Sequence, residues 1–202
     1  MYTLKFAQYN NTMKEVMSEE DTLDNILTIW LENKPTAEDK KHLKNAEDWA
    51  KYAFDNDKNY YVTFFKGGEP IACVFNYFET ISIDFLTYHN GELFIYLFMV
   101  YDKGKDSHNK DVDGKIFLRQ INLYDEDADK RITNEIFFKD NGIMNVETIT
   151  KTKRPEFRMD YEEKETQVNL SHNWLRKPQN YTDYEYLFDY QNILKPEYLD
   201  LP

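Results

Sequence analysis

The 202-residue chain has one cysteine, six glycines, six prolines and four histidines. A single cysteine excludes an internal disulfide and any cysteine-based zinc cluster. Cys73 lies mid-strand in Ile71-Ala72-Cys73-Val74-Phe75, where a buried, inert thiol is expected. Long apolar runs are also missing. The longest, Leu93 to Tyr101, is far too short to span a bilayer, so no membrane role is expected. The opening Met1-Tyr2-Thr3-Leu4-Lys5-Phe6 has no apolar stretch of signal-peptide length, which makes the cytoplasm the expected location. Bases are scarce: 25 Lys and Arg stand against 37 Asp and Glu, for a formal charge of −12. Nucleic-acid binders neutralise phosphates with Lys and Arg, so this balance argues against nucleic acid as a partner. It suits a basic protein partner, or solubility alone.

Catalytic signatures are absent as well. Gly67-Gly68 runs into a strand, and no Gly-x-x-x-x-Gly-Lys follows, so the pair reads as a hairpin turn and not a phosphate loop. His42, His89, His108 and His172 show no metal-ligand spacing. The adjacency of Ser171 and His172 does not make a triad, which requires spatial roles. No catalytic residue, metal or cofactor is nominated, and the chain is expected not to be an enzyme.

Aromatics are plentiful, with 16 Tyr, 14 Phe and 3 Trp, and hydrophobic residues make up 41% of the chain. A sizeable core is therefore within reach. Tyr2, Leu4 and Phe6 alternate at strand period. Ser18, with Asp21 after it, starts a helix whose stripe is Leu23, Ile26, Leu27, Trp30 and Leu31. Asn33 to Pro35 ends it. Thr36 caps a second helix with Leu43, Ala46, Trp49, Ala50, Ala53 and Phe54 on its buried face. Four strands follow: Tyr60–Phe65, Ile71–Phe78, Ile81–Tyr88 and Leu93–Val100. The third alternates and should be half-exposed; the second and fourth are apolar on both faces and should be covered twice. Residues 101–114 read as a long, charged loop. Strand signals resume at Ile116–Tyr124, Ile132–Phe138, Met144–Thr150, Glu156–Tyr161 and Thr166–Leu170, with a strong hairpin turn at Asp140-Asn141-Gly142. The expected fold is α+β, a single domain over residues 1–202, with two N-terminal helices packed on a large antiparallel β-meander of about nine strands.

Two acidic segments are the candidate working surface. Asn109, Asp111, Asp113 and Gly114 match the opening of a calcium loop, but position twelve is Gln120 where a Glu is needed, so an Asp-rich turn suffices. Asp125, Glu126, Asp127 and Asp129 form a compact acidic turn. Together with Asp111 and Asp113 they are the residues expected to attract a basic partner.

Near the C-terminus, Asn173-Trp174, Pro178, Tyr184 and Leu187 form a segment that resembles the tail of small bacterial immunity proteins. These neutralise polymorphic toxins, including those of contact-dependent growth inhibition. The resemblance covers about fifteen residues. It implies a stoichiometric inhibitor that buries the active site or substrate surface of a toxin domain, many such toxins being basic nucleases. Read without it, Trp174, Tyr181, Tyr184, Tyr186 and Phe188 form a strap that covers a sheet edge. Two other functions stay open: an acidic nucleic-acid mimic that blocks a DNA-binding protein, and an enzyme whose site assembles from dispersed residues.

Overall fold

The computed structural model describes residues 2–30, 35–77, 79–86, 93–101, 111–126, 130–152 and 158–188. The chain divides into two compact units. One comprises Met1–Thr87 and Pro178–Tyr184; the other comprises Tyr88–Lys177 and Glu185–Pro202.

In the first unit, β1 (Thr3–Lys5), β4 (Tyr60–Lys66), β5 (Glu69–Tyr77) and β6 (Thr80–Phe85) form an antiparallel array in the order β1-β4-β5-β6. The strands β2 (Tyr9–Asn10) and β3 (Glu15–Val16) form a separate two-stranded ribbon. Gly67 and Gly68, both at positive φ, turn β4 into β5. The pairing shifts between Phe64 and Phe65, which face Ala72 and Pro70, so the proline sits at a bulge where no ladder N–H is needed. The alternation expected of β6 is present: Ile81, Ile83 and Phe85 are buried, Ser82 and Asp84 half-buried. The strand covered on both faces is β4, whose Tyr60 to Phe64 are all buried. On β5, only Ala72, Cys73 and Val74 are buried.

Ser18 caps α1 (Glu19–Asn25) as expected, its hydroxyl accepting from the Asp21 N–H. The helix passes into a π-turn, Ile26–Trp30. The second helix differs from its expected form. It is split into α2 (Asp39–His42) and α3 (Ala46–Asp55), because Asn45 leaves helical geometry to accept from the Asp48 N–H and cap α3. Ala46, Trp49, Ala50 and Ala53 form the buried face of α3. The Trp49 indole donates to the Asn59 carbonyl at 2.8 Å. The segment Pro178–Tyr184 completes this core. Tyr184 is fully buried against Phe64, its hydroxyl meeting those of Tyr60 and, at 3.5 Å, the Asn76 amide oxygen. Tyr181 packs on Phe6 and donates to Glu47.

The second unit is a meander of β7 (Leu93–Tyr101), β8 (Lys115–Glu126), β9 (Lys130–Phe138), β10 (Ile143–Thr152) and β11 (Arg158–Gln167). A short β12 (Trp174–Arg176) returns to pair with the start of β8. Between the stretches of β8 taken by β12 and by β9, the buried Asn173 amide donates to the Leu118 carbonyl, which would otherwise lack a ladder partner. The expected Asp140-Asn141-Gly142 turn joins β9 to β10, with Gly142 at φ 95°. Ile121, Leu123, Ile136, Phe138, Met144 and Val146 are buried on one face of this sheet.

The α+β class and the antiparallel pairing stand. The single meander of about nine strands and the two helices do not. Among the described strands, β1 joins β4 across the helical region, β12 doubles back onto β8, and β2 and β3 pair apart from the rest. Among the described residues, the helical region has three α-helices and a π-turn. Side chains of Leu93–Tyr101, and residues 102–110 of the charged loop, lie outside the described residues.

Candidate functional site

The groups most capable of chemistry are engaged structurally. Burial pushes the Cys73 thiol up to about 11, and contacts to Thr63 and the Tyr9 amide offset this only in part. A thiol so held is not a nucleophile at neutral pH. Asp39 is buried in a reciprocal cap: its N–H donates to the Thr36 hydroxyl, and its carboxylate accepts from the Thr36 N–H. Tyr52 donates to the same carboxylate at 3.0 Å, and Lys58 lies 3.3 Å away. Burial alone would raise Asp39, but Thr36, Tyr52 and Lys58 outweigh it and hold the carboxyl at about 2. His42 stacks on the Tyr52 ring at 4.1 Å, and His172 is exposed in a short 3-10 turn.

Among the described residues, each unit carries a cleft open to solvent. That of the first unit measures about 710 Å³ and is bordered by Asn10, Glu15, Asp21 and Asp24. That of the second measures about 460 Å³ and lies between the Asp140–Gly142 turn, Gln167, Asp111, Lys115 and Trp174. Among the described residues, neither is lined by histidine or cysteine.

The expected acidic site is divided. Asp111 and Asp113 precede β8, and the Asp113 N–H donates to the exposed Asp111 carboxylate. Asp125 and Glu126 end β8, opposite Ile132 and Arg131. Strand β8 therefore holds the two groups on the order of 30 Å apart. Asp127 and Asp129 lie outside the described residues, as does Asn109 of the calcium-like loop; Gln120, its twelfth position, is mid-strand in β8.

Between these groups lies a surface that the sequence reading missed. Directly opposed residues of antiparallel strands share a face. Pairing across β8, β9, β10 and β11 therefore aligns Asn122, Glu135, Glu147 and Glu163 in one row. Gln120, Phe137, Asn145 and Glu165 form the row on one side of it; Tyr124, Thr133, Ile149 and Tyr161 form the row on the other. A fourth row carries Arg131, Lys151 and Met159. Three glutamates thus face one another across adjacent strands, an arrangement that costs stability.

Local contacts relieve this row only slightly. The Asn145 amide nitrogen donates to Glu163 at 3.0 Å and to Glu147 at 3.5 Å. Tyr161 donates to Glu163 at 3.4 Å. Reduced hydration, then the charges of Glu147 and Glu163, raise the Tyr161 hydroxyl above its ordinary 10. The Asn145 side-chain amide oxygen is enclosed and has no hydrogen-bond partner among the described residues. Among the described residues no lysine or arginine forms an ion pair with Glu135, Glu147 or Glu163; the ion pair seen on this face is Lys139 with Glu165 at 4.0 Å, both exposed. Beside the acids, Met159 and Tyr161 are 61% and 53% exposed. Acids beside exposed apolar and aromatic side chains can bind a surface that brings both bases and apolar groups.

The signal was present in part. The Asn141-Gly142 turn fixes the register of β9 on β10 and so sets Glu135 opposite Glu147. No protein-family model matches the chain, and no curated protein or solved structure matches it either. Among the described residues, no helix is long and apolar enough to cross a membrane.

Proposed function

We propose that this chain is an immunity-type inhibitor that binds a basic protein, a toxin domain, one-to-one through the glutamate face of the second unit. The observation that carries the reading is the in-register row Glu135–Glu147–Glu163, kept at a cost to the sheet and with no ion pair to any of the three among the described residues. A surplus of 12 negative charges would steer a basic partner toward it. The Trp174–Tyr184 resemblance supplies the toxin as the kind of partner. The proposed site of action is the cytoplasm, which a single buried thiol fits.

A nucleic-acid mimic is the weaker reading. Glutamates on adjacent strands lie roughly 5 Å apart, whereas duplex DNA carries one charge per about 1.7 Å of axis. Arg131 and Lys151 interrupt the same face.

The test is co-expression with the toxin-like product of a neighbouring reading frame. Growth should be protected, and light scattering should give a one-to-one complex. The triple variant Glu135→Gln, Glu147→Gln, Glu163→Gln should bind about 30-fold more weakly or worse. Full protection by that variant would remove this face from the function.

A further inference from the structure

Among the described strands, the sheet of the second unit ends at β11. Among the described residues it pairs only with β10, in one unbroken register from Ile143↔Gln167 to Thr152↔Arg158. Residues 159–163 are all exposed, on both faces of the strand. Over these five residues the strand therefore presents its edge to water. Proteins commonly blunt such an edge with proline, a bulge, lysines or brevity. Strand β11 has no proline, no bulge against β10 and a single lysine, Lys164. Its charge is instead acidic, from Asp160, Glu162, Glu163 and Glu165.

We infer that β11 is the docking edge for an extended basic segment of the partner protein, which adds to the sheet as a further strand. This rests on the reading of the glutamate face as the partner-binding surface. Strand addition would supply backbone affinity, and alternate side chains would supply specificity. On the glutamate face the added residues would fall, at every second position, opposite Glu165, Glu163, Tyr161 and Met159. On the other face they would meet Lys164, Glu162 and Asp160. The matching segment therefore has two bases two residues apart, then two apolar or aromatic residues at the same spacing, with bases opposite Glu162 and Asp160. The base opposite Glu163 would extend the row Glu135–Glu147–Glu163 by one strand and bring it a cation. A second copy of this chain, docked with its glutamate face level, would add another acidic row instead. Charge complementarity favours the basic partner.

The probe is a capped ten-residue peptide with that pattern, tested on the full chain by fluorescence anisotropy and by hydrogen exchange of the β11 amides. Two N-methylated isomers carry the same side chains, one blocked at odd and the other at even positions. In an added strand, alternate N–H groups face β11 and the rest face away. The plain peptide and one isomer should bind and protect β11, and the other isomer should bind at least tenfold more weakly. Glu163→Lys should abolish binding, and a peptide with Glu at the matching position should restore it. Equal binding by both isomers with unchanged β11 exchange would overturn strand addition while leaving the glutamate face as the binding surface. Failure of the plain peptide to bind would also overturn it, as would sedimentation showing that β11 is occupied by a second copy of the chain. The toxin complex tests the face separately.

Discussion

At the scale of single residues, the most perturbed acid is a structural group. Asp39 keeps its proton less readily in the fold, at about 2 against an ordinary 3.8. The unfolded chain therefore takes up more protons as pH falls through that interval, and the stability Asp39 confers is complete above about pH 4 and lost toward pH 2. The difference corresponds to about 2 kcal/mol. Asp39→Asn should lose roughly that amount in urea unfolding at pH 7, and the gap from the parent should close as pH is lowered toward 2. The Tyr60–Tyr184 hydroxyl pair gives a second case, with Tyr60 raised well above 10 by burial and then by Tyr184. Tyr184→Phe leaves the Tyr60 hydroxyl short of a partner in an apolar setting and should cost about 1–2 kcal/mol by the same measurement. Neither role was legible in the sequence. Tyr184 read as part of a strap, but nothing local points to a partner 124 residues away.

Among the elements, the β9–β10 hairpin determines most of the proposed binding face. Gly142 sits at φ 95°, and a Cβ there would lie 2.2 Å from the Gln167 amide nitrogen. Gly142→Ala should therefore destabilise the protein by about 1–3 kcal/mol, read as a lower denaturant midpoint. The central glutamate should behave in the opposite sense. Glu147→Gln removes a charge flanked by two others and should raise stability by about 0.5 kcal/mol while weakening partner binding, a trade expected of a functional residue. Loss of binding with unchanged or reduced stability would count against an unrelieved row. These elements also show how far the sequence could be read. Asn141-Gly142 announces its turn because both residues tolerate positive φ, so half of the row follows from spacing. The third glutamate does not, since Pro155 in residues 153–157 marks a break but does not fix the register of β11 on β10. Asn45 was hidden for a different reason: the apolar spacing from Leu43 to Phe54 runs straight through the break that its side chain makes.

For the whole molecule, charge and topology each have an observable consequence. A net −12 should make association with a basic partner fast at low salt. The on-rate should fall steeply as ionic strength approaches 0.15 M, where the screening length is about 8 Å, and dissociation should change far less. Stopped-flow mixing at two salt concentrations checks this. Reversing Asp125, Glu126, Asp127 and Asp129 together tests the other acidic segment; an on-rate effect alone would mean it steers, and a faster off-rate would mean it makes contact. Topology bears on how the protein is made. The first unit is not finished when residue 87 has been synthesised, because the tyrosine that fills its core is residue 184. At roughly 5–20 residues per second, the ribosome needs on the order of 5–20 s to supply it. Until then, the ring surfaces of Tyr60 and Phe64 that Tyr184 covers have no cover from it. A nascent chain stalled before residue 178 should therefore bind hydrophobic dye and chaperone, and one stalled well beyond residue 184 should bind neither.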